Sequence, residues 1–293
     1  MLSLRHEAWA LELAPEAGGA VTALRWQGID VLRPASTGTS DPLAMAAFPL
    51  VPFAGRIARG RFTFDGVDVR LPADPAFEPH ALHGQGWRRP WQVEHVTAAE
   101  ALLSFEHAPG DWPWHYLARQ HFVLHDTAFA LTLELANLSA RPMPAGLGWH
   151  PYFPAGDASI RADVRRHWPW SVDMTPGGPQ PLTPAVDLRS WRAVAGLALD
   201  DVFDAGPSGA ELRWPGHALT LQASEELRFL VAYTPADAGH FCVEPISHAP
   251  DAVNNPRHVG ETGLRILDTE TSLRAQVRLK ITGRDNAETS PHG

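Results

Sequence analysis

The sequence predicts an all-β protein, a large antiparallel β-sandwich, from three observations. Apolar and polar residues alternate with period two in several runs, glycine and proline recur throughout, and sustained helical periodicity is missing. Successive strand side chains point to opposite faces, so alternation marks one buried face and one wet face. Gly (24) and Pro (27) together exceed one residue in six and are scattered, which cuts the chain into short segments joined by turns.

The clearest element spans residues 61–71, where Arg-Phe-Thr-Phe and Val-Asp-Val-Arg-Leu flank Asp65-Gly66. Asp-Gly between alternating runs predicts a two-residue hairpin, because both central positions accept positive φ. Phe129, Leu131, Leu133 and Leu135 alternate with smaller or polar residues and predict a second strand. Leu227, Phe229, Val231 and Tyr233 predict a third, and Leu273, Ala275, Val277, Leu279 and Ile281 a fourth. Residues 96–105 read either as a short helix or, from 101 to 105, as a strand. No repeat of 20–50 residues and no linker divides the chain, so one domain is expected over 1–283, with a flexible polar tail at 284–293.

The 293 residues are 44% hydrophobic, enough for a sizeable core. A single cysteine, Cys242, excludes an internal disulfide. The first sixteen residues carry Arg5 and several glutamates where a secretory signal needs an apolar run, and no stretch is long enough for a membrane helix, so a cytoplasmic location is expected. The formal charge of −9, without any Lys/Arg cluster, opposes nucleic acid or an anionic membrane as partner. Eleven tryptophans read mostly as core, though flat aromatic faces also suit the C–H faces of sugars.

Four segments carry more polar chemistry than a β core needs. In residues 52–62, Arg56 lies between apolar neighbours; it is either a solvated loop residue or a buried one that needs carboxylate or hydroxyl acceptors. Residues 79–87 hold His80 and His83, then Gly84-Gln85-Gly86, whose small glycines let backbone approach a ligand. A metal site there has no HExxH or cysteine partner to support it. His150 precedes Pro151, which pushes it to extended geometry at a strand end; it reads as a fixed donor or as a satisfied core histidine. Glu244 follows Phe241-Cys242-Val243 and precedes Pro245; it reads either as a carboxyl group whose apolar setting raises its pKa and suits a general base, or as an ordinary strand-end glutamate.

In order, Gly55-Arg56-Ile57 with Gly60-Arg61-Phe62, then Leu82-His83-Gly84, then Gly148-Trp149-His150-Pro151-Tyr152-Phe153, then Val243-Glu244-Pro245 with Ala249-Pro250-Asp251-Ala252-Val253-Asn254, resemble the aldose 1-epimerase (galactose mutarotase-like) family from about residue 9 to about residue 281. The His-Pro-Tyr-Phe and Pro-Asp-Ala-Val-Asn elements are the specific ones. The resemblance implies a galactose mutarotase-like supersandwich with a cleft across one sheet face. It implies His150 as general acid, Glu244 as general base, and His83 and Arg56 as sugar-binding groups, with Gln85 and Trp149 as further substrate-binding candidates from the same segments. The family's aspartate before a phenylalanine matches Asp200, counting back from Phe203, with Asp201 as the alternative. Two departures stand out: Gly55 replaces the usual Asn, removing an amide from the site, and Asp268-Thr269-Glu270 replaces Pro-Gly-Glu, which bears on a turn.

The implied reaction interconverts the α and β anomers of a free aldose such as galactose or glucose. A base takes the C1 hydroxyl proton while an acid protonates the ring oxygen, and reclosure reverses the roles, so no cofactor and no metal is expected. The expected partner is a monosaccharide, and the chain a monomer or homodimer. Alternatives are a hexose-6-phosphate 1-epimerase, using Arg59 or Arg88-Arg89 for phosphate, and a non-catalytic sugar-binding protein on the same fold. A glycoside hydrolase would ordinarily show two catalytic carboxylates.

Overall fold

Strand alternation and turn chemistry account for most of the architecture in the computed structural model, which describes residues 1–171, 177–236, 238–255 and 260–283. The expected tail at 284–293 lies outside them. Asp65 and Gly66 take φ of 48° and 73°, and Arg61–Phe64 pairs antiparallel with Val67–Arg70, the hairpin that Asp-Gly predicts. Tyr116–His125 and Ser272–Gly283 alternate buried and open residues along nearly their whole lengths. Ala128–Asn137 departs from that pattern. Ala130 and Thr132 are buried on the face expected to be wet, because the strand is central in its layer and Thr132 stands between His121 and Gln276 of its two neighbours.

Residues 96–105 resolve into strands, Gln92–Val96 and Glu100–His107, joined by a tight turn. Leu227 precedes the strand Phe229–Tyr233 instead of starting it. Helical turns among the described residues are short 3-10 segments, and no helix is long and apolar enough to cross a membrane.

Two layers of antiparallel strands arise from one continuous sheet. The first layer runs from the hairpin Leu2–His6/Trp9–Ala14 through Ala20–Trp26 and Ala47–Leu50 to Gly148–Pro154. It continues through His240–Ile246 and Phe229–Tyr233 to the first half of Asp200–Arg213. The second half of that long strand pairs instead with His217–Ala223 and begins the other layer. That layer then runs through Ser272–Gly283, Ala128–Asn137 and Tyr116–His125 to Glu100–His107. One strand thus serves both layers. Ser159–Trp168 follows it with register shifts after Ala162 and Val164, irregularities of the kind that bend a strand from one sheet into another.

The layers meet over aromatic contacts. Trp149 stacks on Phe129 of the other layer with ring centres 5.7 Å apart, and within its own layer Phe153 packs at the same distance on its cross-strand partner Phe241. Trp149 is fully buried. Along Gly148–Pro154 the odd-numbered Trp149 and Phe153 enter this core, so His150 and Tyr152 must project from the opposite face. Both faces of the strand are covered, and it reads as continuously buried. Replacing Trp149 with Ala should remove about 3–5 kcal/mol of stability, measured by urea unfolding; a loss below about 1 kcal/mol would contradict its place between the layers.

Candidate active site

The face opposite the core carries a cavity of about 310 Å³, in the range of small-molecule sites. Its floor comes from neighbouring strands: His150 and Tyr152 from Gly148–Pro154, Glu244 from His240–Ile246, Val231 and Tyr233 from Phe229–Tyr233, and Asp200 from Asp200–Arg213. The register pairs Gly148 with Ile246 and Tyr152 with Cys242, which by count sets position 150 opposite position 244. The ladder omits the rungs between, where Pro151 and Pro245 have no N–H to give. His150 Nε2 lies 3.2 Å from Glu244 Oε1, and both residues are buried. Among the described residues Glu244 accepts no hydrogen bond, so a buried carboxyl group is left with unused acceptor capacity beside the cavity.

Aromatic stacking holds the histidine ring. Its centre lies 4.6 Å from Phe48, its cross-strand partner, and 4.7 Å from Tyr152. The Arg33 guanidinium lies over the Tyr152 ring, 4.2 Å from its centre, and donates to the Leu43 and Met45 carbonyls. Two aromatic rings packed against the imidazole limit its rotation beside Glu244.

The wall is built by two loops that lock each other. The His83 N–H donates to the Gly55 carbonyl at 2.9 Å, and the Gly55 N–H donates to His83 Nδ1 at 3.0 Å. Because Nδ1 accepts, the neutral ring carries its proton on Nε2. Gly55, His83 and Gly84 all adopt positive φ. At Gly84 a Cβ would come within 2.1 Å of the Val51 carbonyl oxygen, so only glycine fits. His80, the other member of His-x-x-His, accepts from the Arg59 N–H through Nδ1 and stays outside the cavity. The Nδ1 atoms of both histidines are thus committed to loop backbone N–H groups.

The Pro250–Asn254 element holds the same loops from behind. The Asp251 N–H donates to the Arg56 carbonyl, and Asp251 Oδ1 accepts from the Ala58 N–H at 2.9 Å and from Asn254 Nδ2 at 2.8 Å. His248, which sequence reasoning passed over, is buried and accepts from the Ala54 N–H at 3.2 Å. The Pro250 ring lines the cavity where a residue-55 side chain would stand: a Cβ on Gly55 would lie 2.9 Å from two Pro250 carbons. This is the physical counterpart of the missing asparagine.

Arg56 is half-buried, not a solvated loop residue. Its guanidinium lies 4.6 Å from the Trp170 ring centre and 5.2 Å from that of Phe77. Asp200, not Asp201, lines the cavity with it. Strand alternation turns Asp201 to the other face, where its carboxylate lies 3.6 Å from His167. Two expected substrate-binding residues lie elsewhere. Trp149 is in the core beneath His150, one residue out of phase with the cavity face. Gln85 faces a separate groove and accepts a hydrogen bond from the Tyr116 hydroxyl at 3.0 Å. Tyr152 was legible as a cavity residue by its two-residue spacing from His150. Tyr233, Trp170 and His240 become neighbours of the site only through pairing and loop placement.

Burial dominates the electrostatics. It pushes the Glu244 carboxyl well above the usual carboxylate range; Asp200 adds to the effect and Arg56 opposes it. It lowers His150 to about 3, with Arg33 and His240 acting in the same direction. Burial raises Asp200 against the pull of Arg56, and lowers His83, with His150 and Arg56 adding to the effect. Burial thus opposes charge on both His150 and Glu244.

A buried histidine–glutamate pair thus lies under a cavity on the sandwich face. The chain belongs to the aldose 1-epimerase family, whose model matches residues 2–280. It is 31% identical over 274 residues to YphB of Escherichia coli K12, an uncharacterised protein, covering 87% of this chain and 90% of that one. A crystal structure of a candidate aldose 1-epimerase from Escherichia coli K12 superposes with a TM-score of 0.87 at 26% identity, covering 96% and 98% of the two chains. A galactose mutarotase-like protein from Clostridium acetobutylicum shares the fold, with a TM-score of 0.88 at 18% identity over 96% and 94% of the chains. Replacing Gly55 with Ala should cost about 1–2 kcal/mol, from positive φ and the Pro250 contact, read by urea unfolding. A stability gain would refute the proposed interlock of the loops.

Proposed function

We propose that this chain exchanges the α and β anomers of a free aldose, with Glu244 as base and His150 as acid. The observation that carries the reading is the buried contact of 3.2 Å between His150 Nε2 and Glu244 Oε1 at the cavity floor. The hydroxyl and ring oxygens of a hemiacetal share one carbon, so their acid and base must be close neighbours. In the reactive arrangement His150 is protonated and Glu244 is ionised, with Arg56 balancing the carboxylate charge. Glu244 takes the C1 hydroxyl proton, the freed electron pair forms the carbonyl, the C1–O5 bond breaks, and O5 takes the imidazolium proton. The pair is now neutral, the form that burial favours. After rotation about C1–C2, reclosure returns both protons by the reverse path. No proton need be exchanged with solvent, which suits groups this deeply buried.

Arg56, Asp200 and His83 are assigned to orienting the sugar hydroxyls, with His83 donating from Nε2. Apolar surfaces from Phe77, Trp170 and Val231 suit the sugar's C–H faces. The charge balance favours an unphosphorylated sugar. Arg56 is the one arginine among the cavity-lining residues described, and it already faces Asp200 and Glu244. Arg88 binds Asp74 and stacks on Trp87, and with Arg89 it faces the separate groove.

Glu244→Gln should lower kcat for anomer exchange by about 10²-fold or more, followed by NMR exchange between anomers, with folding checked by circular dichroism. Full activity in the folded variant would remove the base assignment; His150→Asn makes the same test of the acid. Arg56→Met should act chiefly on KM. Glucose and galactose should be turned over with a higher kcat/KM than glucose 6-phosphate, and the reverse order would favour the phosphosugar reading. Saturable sugar binding by the wild type without rate enhancement would instead identify a binding protein.

A further inference from the structure

We propose that His150, Cys242 and Glu244 together form a site for a soft divalent cation such as Zn²⁺, and that its occupation silences the acid–base pair. Cys242 and Glu244 are two residues apart on one strand and share a face, while position 150 lies opposite 244 on the neighbouring strand. One donor atom from each, a ring nitrogen, Sγ and a carboxylate oxygen, lie within 4.8 Å of one another, and all three residues are buried. Cys242 is free, and the proton transfers give it no task.

The donor set suits zinc, which takes thiolate, imidazole and carboxylate at about 2.0–2.3 Å in a tetrahedron. Those bond lengths put ligand atoms roughly 3.3–3.8 Å apart. The His150–Glu244 separation of 3.2 Å is already close to that range. The widest separation must close by about 1 Å, within reach of small side-chain rotations.

Charge balance supplies the second argument. A buried thiolate or carboxylate alone is strongly disfavoured, but one of each with a divalent cation and a neutral imidazole sums to zero. Binding displaces the thiol and carboxyl protons and occupies the imidazole and carboxylate lone pairs that accept protons during anomer exchange. A fourth position is left for water or a hydroxyl, as in zinc sites with three protein ligands. The inhibition rests on the roles proposed above for His150 and Glu244; the binding does not.

The test uses the full chain with Zn²⁺ by calorimetry, Co²⁺ by absorption spectroscopy, and anomer exchange with and without Zn²⁺ and a chelator. Expected are one Zn²⁺ per chain, inhibition reversed by the chelator, and a thiolate-to-cobalt charge-transfer band. Cys242→Ser should bind Zn²⁺ at least about tenfold more weakly and lose the cobalt band. A wild-type protein without that band, or a serine variant that binds Zn²⁺ and is inhibited like wild type, overturns the site. Should the serine variant not fold, the cobalt band of the wild type decides alone. An active epimerase without the band defeats only this inference; a band with no anomer exchange defeats only the reading of function.

Discussion

Everything at the site depends on the antiparallel register between Gly148–Pro154 and His240–Ile246. That pairing sets an imidazole against a carboxyl group inside a sheet face that is covered on both sides. In water the two groups would ionise independently. Here burial opposes charge on each, so each group depends on its neighbours for its state of ionisation. The chemical capacity of the site thus comes from desolvation as much as from the identity of the residues.

The rest of the site is scaffolding that keeps this pair in reach of a ligand. Phe48 and Tyr152 pack against the imidazole, and the Arg33 guanidinium packs on Tyr152. The loops that carry Arg56 and His83 are bound through reciprocal backbone contacts and braced by Asp251 and His248. The Pro-Asp-Ala-Val-Asn element, the most distinctive string in the sequence, therefore acts on the site from outside. Only its first residue, Pro250, touches the cavity.

Legibility followed the range of the underlying interaction. The Asp65-Gly66 hairpin and the alternating strand Ser272–Gly283 depend on neighbours in sequence, and both formed as read. Ala128–Asn137 was legible as a strand but not in its double burial, because its cover comes from distant strands. His150, Glu244, Arg56, His83 and Asp200 were named from their motifs and converge on one cavity. Trp149 was misplaced because motif membership ignored strand parity, and Gln85 because a loop residue has no parity to read.

By itself the sequence determined that this chain is a β-sandwich of the aldose 1-epimerase family and which polar residues stand apart from the core pattern. Backbone alternation, turn residues and ordered motifs are written locally. Only the tertiary structure decided which of those residues share a cavity, that Asp200 rather than Asp201 faces it, that Pro250 fills the space beside Gly55, and that Cys242 lies with His150 and Glu244. These depend on register and loop packing between segments up to about two hundred residues apart, and no local pattern encodes such distances.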